Sequence, residues 1–230
     1  MQAVDRKQFG VGLFLMSVLI GLWCYAIFGV TTDKHQGDVY RILYLHVPCA
    51  LTAFLFSFTL FLVSLKSLIK PDGSLLFYGK ANAEVGLLLT VLTLATGSIW
   101  GYPTWGTWWT WDARLTTTLI LALLYCGYIL LWNSLPQEKM RHKACAVLGI
   151  LIFIDVPIIY KSVTWWRTLH QPPSLMRSGG STMSSEMLQL LYPSLLWMVL
   201  VGAWLIWLRA TNHLIQRDLE HDILSQLEES

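Results

Sequence analysis

The chain has 230 residues, 55% of them hydrophobic and only 13% charged, with a formal net charge of +2. Soluble domains carry about 25% charged residues, which excludes a disordered chain, a coiled coil and an ordinary soluble enzyme. Nucleic-acid binding as the main task is excluded too, because no run of Lys and Arg is dense enough to follow a phosphate backbone. With a mean hydropathy of +0.53, the composition is that of an all-α integral membrane protein, read as one domain over 1–230.

Six apolar stretches of about 20 residues can each cross a bilayer core at 1.5 Å rise per residue. They run over 9–30, 44–65, 83–100, 114–132, 144–160 and 187–208. The first follows Arg6 and Lys7 as a signal peptide would. Its apolar run is too long for one and no small-x-small site follows, so it reads as a retained helix. Asn82 and Glu84 suit an N-cap and first turn for the third stretch. Thr90, Thr93 and Gly97 recur there at helical spacing and suit close helix packing. Gly101, Pro103 and Gly106 are expected to stop that helix. Asp155 and Pro157 interrupt the fifth stretch. An intramembrane carboxylate is a functional residue by default, but Asp155 reads rather as a structural pair with Lys161 or an outer arginine, with Pro157 distorting the local backbone. Residues 209–230 read as a polar tail, a short helix at the inner surface.

Sidedness follows from the basic residues. With the N-terminus inside, the inner segments hold ten (Arg6, Lys7, Lys66, Lys70, Lys80, Lys139, Arg141, Lys143, Arg209, Arg217) and the outer ones six (Lys34, Arg41, Arg114, Lys161, Arg167, Arg177). That bias predicts both termini in the cytoplasm. The four cysteines, Cys24, Cys49, Cys126 and Cys145, form no CxxC or CxxCH. Neither a disulfide relay, a thiolate metal site nor the usual covalent c-type haem attachment is indicated. GxxxxGK[ST] is absent, so any ATP hydrolysis belongs to a partner.

Twelve tryptophans are present, and five of them fall in Trp100–Trp111. An interfacial belt accounts for Trp23, Trp132, Trp197, Trp204 and Trp207. It accounts poorly for five indoles interleaved with Gly, Thr and Pro. The alternative is a binding platform for a large, flat, apolar ligand. His46 and His170 lie on the predicted outer side, flanking that platform; His35 is in a polar loop and reads as solvated. A neutral imidazole is a natural axial ligand for haem iron. Either histidine alone reads first as a satisfied interfacial residue; the joint arrangement favours ligands. Arg41, Arg114 and Arg167 stand near these elements. Each suits a haem propionate or a lipid headgroup, and Arg114 is also close enough in sequence to pair with Asp112.

The stretch Trp100–Thr116 reads WGYPTWGTWWTWDARLT. It resembles the tryptophan-rich WWD signature of the membrane haem-handling proteins of cytochrome c biogenesis. With six spans, one motif and an outer histidine on each side, the chain is similar to the cytochrome c maturation protein C (haem exporter protein C) branch of that family. The resemblance implies that haem b is held non-covalently at the periplasmic face of the bacterial inner membrane. It implies axial ligation by His46 and His170, with Trp105, Trp108, Trp109, Trp111 and Asp112 at the porphyrin. It further implies handover to a membrane-anchored haem chaperone. The implied partners are an ATP-binding-cassette ATPase, its membrane subunit and a very small single-span protein. No residue is assigned to catalysis. The competing reading is a permease subunit of an ABC-type transporter whose tryptophans are only interfacial.

Overall fold

The computed structural model describes residues 6–34, 36–70, 73–172, 174–175 and 180–229. His35 and Arg177 lie outside the described residues. Six helices follow one another: α1 (Arg6–Phe28), α2 (Leu43–Ile69), α3 (Gly73–Trp105), α4 (Ala113–Ser134), α5 (Glu138–Trp165) and α6 (Ser185–Glu229). A short 3-10 helix, Asp38–Ile42, leads into α2. All six long helices are apolar enough to cross a membrane, and no strand occurs among the described residues. The all-α, six-span class is therefore the observed one.

The boundaries differ from the hydropathy reading where side chains replace water as hydrogen-bond partners. Helix α3 starts at Gly73, so Asn82 and Glu84 are not at its first turn. The Asn82 amide donates to Thr59 Oγ1 of α2 at 2.6 Å. Glu84 accepts from Arg209 Nε of α6 at 2.7 Å and faces His213 Nε2 at 3.1 Å. Both are interhelical ties of the kind that hold polar residues inside spans. At its other end α3 runs through Gly101 and Pro103 to Trp105. Pro103 deletes one N–H near the helix terminus, where the loss is smallest. Only Gly106 ends the helix: it adopts φ 77 and its N–H bonds to the Tyr102 carbonyl at 2.8 Å, a left-handed cap.

Helix α5 is unbroken across Asp155 and Pro157. Asp155 is buried, and its Oδ2 has no protein partner among the described residues. Lys161 does not pair with it; its ammonium lies over the Tyr160 ring. Helix α6 continues for 45 residues, about 68 Å at 1.5 Å per residue. That is more than twice the ~30 Å of a bilayer core, so 209–229 extends the span rather than forming a separate surface helix. Trp132 is no belt residue either. It is buried, with Phe77 at 5.4 Å and the Arg141 guanidinium over its ring at 5.1 Å.

Helices α2, α3, α4 and α5 neighbour one another in a closed ring, α6 packs on α2 and α3, and α1 packs mainly on α6. The ring encloses a core that includes Leu60, Leu121, Tyr125, Tyr128 and Ile152. Close approach depends on Gly86, where a Cβ would stand 2.5 Å from the Tyr125 ring. Gly86→Val is therefore expected to destabilise the bundle by roughly 1–3 kcal/mol through overpacking, read as a lower thermal midpoint in detergent. Gly21→Ala, with nothing within 4 Å of the added carbon, is expected to leave that midpoint unchanged.

Candidate functional site

The four-helix ring opens at the end that carries residues 100–116. A cavity of about 90 Å³ there is lined by His46, Trp100, Trp105, Arg114 and His170 and opens to solvent. Below them it descends between the helices past Ala50, Ala53, Phe54, Thr90, Leu94 and Leu121. From Thr90 to Trp105 the α3 wall rises about 22 Å. The walls are mostly apolar with a few convergent polar groups, the usual make-up of a small-molecule site.

His46 sits near the start of α2 and reaches across to α3. Its Nδ1 lies 2.9 Å from Thr96 Oγ1. That hydroxyl has one proton, which it gives to the Leu92 carbonyl at 2.6 Å. Toward the imidazole it is thus an acceptor, so His46 carries its proton on Nδ1. The ring is also hydrogen-bonded to the Thr93 backbone, and the lone pair is on Nε2. Gly97 makes the approach possible: a Cβ there would stand 3.1 Å from His46 Cε1. The Trp100 ring meets the imidazole edge-on at 5.8 Å, and its Nε1 donates to Gln36 Oε1 at 3.0 Å.

His170 arrives from the loop after α5, yet it is set up the same way. Its Nδ1 lies 3.0 Å from the Gln171 carbonyl. A carbonyl only accepts, so again Nδ1 holds the proton and Nε2 the lone pair. Burial, and secondarily the Arg114 guanidinium, push the His170 pKa down to about 4. The ring is neutral at pH 7. Trp105 lies 6.1 Å away. The loop is held by Thr168, whose Oγ1 donates to Asp112 Oδ2 at 2.8 Å and accepts the His170 N–H at 3.0 Å. The other Asp112 oxygen accepts from Leu115 N at 2.9 Å as the N-cap of α4. Arg114, in the first turn of α4, brings a buried Nη1 with no partner among the described residues.

The structure thus gathers His46, His170, Trp105 and Arg114 around one cavity and leaves the other candidates outside it. Trp108 stacks on Tyr102 with ring centres 4.5 Å apart and is exposed. Trp111 is 76% exposed and meets the half-buried Trp109 edge-on. Asp112 spends both oxygens on protein donors. Arg41 hooks the end of α1, donating to the carbonyls of Ile27 at 2.9 Å and Val30 at 2.8 Å. Arg167 is exposed on the loop and does not line the cavity. Thr96, Gly97, Thr168 and Gln171 are the members that hydropathy and motif reading miss. Of these only Gly97 carries a visible signal, its helical spacing with Thr90 and Thr93, which points to close helix packing.

A family model described as Heme exporter protein C matches residues 5–225. The chain belongs to the heme exporter protein C family. It is 40% identical to the Heme exporter protein C of Bradyrhizobium diazoefficiens over 74% of this chain and 65% of that protein's length. The protein of the same name in Escherichia coli K12 is 33% identical, over 89% of this chain and 82% of its own. A protein of Arabidopsis thaliana, named as ccmC-like, mitochondrial and of cytochrome c biosynthesis, is 34% identical over 94% of this chain and 87% of its own.

The imidazole assignments are open to direct measurement. Nitrogen-15 NMR of histidine-labelled protein is expected to show His170 as the Nδ1–H tautomer at neutral pH. Lowering the pH should protonate it only on approaching about 4. A midpoint near the ordinary value of about 6.5, or an Nε2–H tautomer, would contradict the arrangement.

Proposed function

We propose that this chain binds haem b non-covalently between His46 and His170 and presents it to a membrane-anchored haem chaperone for cytochrome c biogenesis. The observation that carries the reading is the pair of imidazoles on one apolar cavity, each with its proton held on Nδ1 and its Nε2 lone pair spare. A metal-ligating histidine is ordinarily fixed in this way by a hydrogen bond from its other nitrogen. Among the described residues no group of three or more His, Cys, Asp or Glu stands close enough to hold a bare metal ion. Two imidazoles suffice for an ion that arrives with four ligands of its own, as porphyrin iron does. Family membership supports the same cargo, and the name of the plant relative supports the same pathway.

Each residue then has a distinct task. His46 and His170 would hold the haem iron through their Nε2 lone pairs, which would deny oxygen a coordination site. The apolar walls bury the macrocycle and keep water off its faces. The Arg114 Nη1, without a hydrogen-bond partner among the described residues, would receive a propionate, a charge-assisted contact that offsets its burial. Arg41 and Arg167 have no such part. Trp105 and Trp100 flank the imidazoles from within. Trp108 and Trp111 stand outside as exposed aromatic surface of the kind that meets a partner protein. The ten-to-six bias of basic residues supports a mouth facing the periplasm from the inner membrane, with both termini inside. An ATP-binding-cassette ATPase, its membrane subunit and a small single-span protein complete the expected assembly.

The optical spectrum of purified, haem-loaded protein tests this reading. His46→Ala and His170→Ala should each remove the six-coordinate spectrum and weaken haem binding at least about tenfold. Arg114→Met should weaken it by about tenfold, the worth of one charged hydrogen bond. Trp108→Ala should retain wild-type affinity. Unchanged spectra in both histidine variants would refute the ligand pair.

A further inference from the structure

The two imidazoles are secured by different means. His46 is part of a helix, and Thr96 and the Thr93 backbone on the neighbouring helix set its ring. His170 lies in a stretch without helix or strand, residues 166–172. The bond from its ring to Gln171 O joins adjacent residues and moves with the loop. Something else has to anchor that loop to the bundle.

Thr168 has the chemistry to do so. A threonine hydroxyl can donate one hydrogen bond and accept others at once. Here it gives its proton to Asp112 Oδ2 at 2.8 Å and receives the backbone N–H of His170 at 3.0 Å. Asp112 is itself fixed, because its Oδ1 caps α4 on Leu115 N at 2.9 Å. The line of bonds therefore runs from the end of α4, through one carboxylate and one hydroxyl, to the main chain of His170. The helix end that anchors the loop also carries Arg114, the cavity's cation.

We propose that Thr168 is a positioning residue, a latch through which the Asp112 carboxylate holds His170 against the cavity. This rests on the haem-binding reading above and deepens it. The motif aspartate then acts on the iron ligand's loop, not on the porphyrin. The two ligands are unequal as a result: His46 is built into the framework, and His170 is released when the latch opens.

The test compares haem-loaded, full-length wild type with Thr168→Val, Thr168→Ser and His170→Ala. Thr168→Val keeps the shape of the side chain and deletes the hydroxyl. It is expected to weaken haem binding about ten- to a hundredfold, as loss of a ligand's supporting bond does, and to convert part of the low-spin ferric signal to high spin. Its thermal midpoint without haem should match wild type. Thr168→Ser restores the hydroxyl and should restore both affinity and the low-spin signal. If His170→Ala loses its ligand signature while Thr168→Val matches wild type, the latch is wrong and the ligand pair stands. Equal impairment of Thr168→Val and Thr168→Ser also overturns the latch, since the hydroxyl is then not the agent. If His170→Ala itself is spectroscopically silent, the haem-binding reading has failed instead.

Discussion

A neutral imidazole has two nitrogens and one proton, and the nitrogen that keeps the proton decides what the ring can do. In this protein both cavity histidines keep it on Nδ1. At His46 the cause is a threonine hydroxyl whose own proton is already committed to Leu92. At His170 it is a backbone carbonyl with no proton to give. Two different acceptors impose one outcome, a spare Nε2 lone pair on either side of an apolar cavity. The rest of the site depends on that constraint, since an Nε2–H tautomer would leave the lone pair on Nδ1, the nitrogen that lies against Thr96 or the Gln171 carbonyl.

The scaffold explains why those acceptors are where they are. Close packing of α3 on α2 lets Thr96 reach His46, and the absence of a side chain at Gly97 leaves room for the ring. Continuation of α3 past Pro103 carries Trp105 up to the level of His170. The left-handed turn at Gly106 then folds the remaining motif residues over the bundle's end. Trp108 and Trp111 become outer surface while Trp100 and Trp105 become lining. One tryptophan-rich segment thus supplies both an inner wall and an exposed rim.

Much of this was legible in the sequence. Six apolar stretches marked six spans, and the histidines flanking a tryptophan-rich loop line one cavity. Helix ends were less legible, because hydropathy counts Asn82, Glu84 and Pro103 as breaks. Asn82 and Glu84 find partners on other helices, and Pro103 loses one bond near a terminus. The tail after Arg209 looked separate because its composition changes, yet nothing there stops a helix, and α6 runs on. Within the site, residue type alone pointed to Asp112, Arg41, Arg167 and three motif tryptophans, none of which lines the cavity. Which way a side chain faces, and whether its atoms are already taken, depends on distant contacts such as Asp112 with Thr168 or Arg41 with the end of α1. Those contacts span 56 and 14 residues of sequence, beyond the reach of local pattern.

Electron paramagnetic resonance of the wild-type protein loaded with ferric haem tests the central claim most directly. Two Nε2-bound neutral imidazoles predict a six-coordinate, low-spin signal with nitrogen hyperfine couplings from two histidines. A high-spin signal, or couplings from a single imidazole in protein loaded to one haem per chain, would contradict the account.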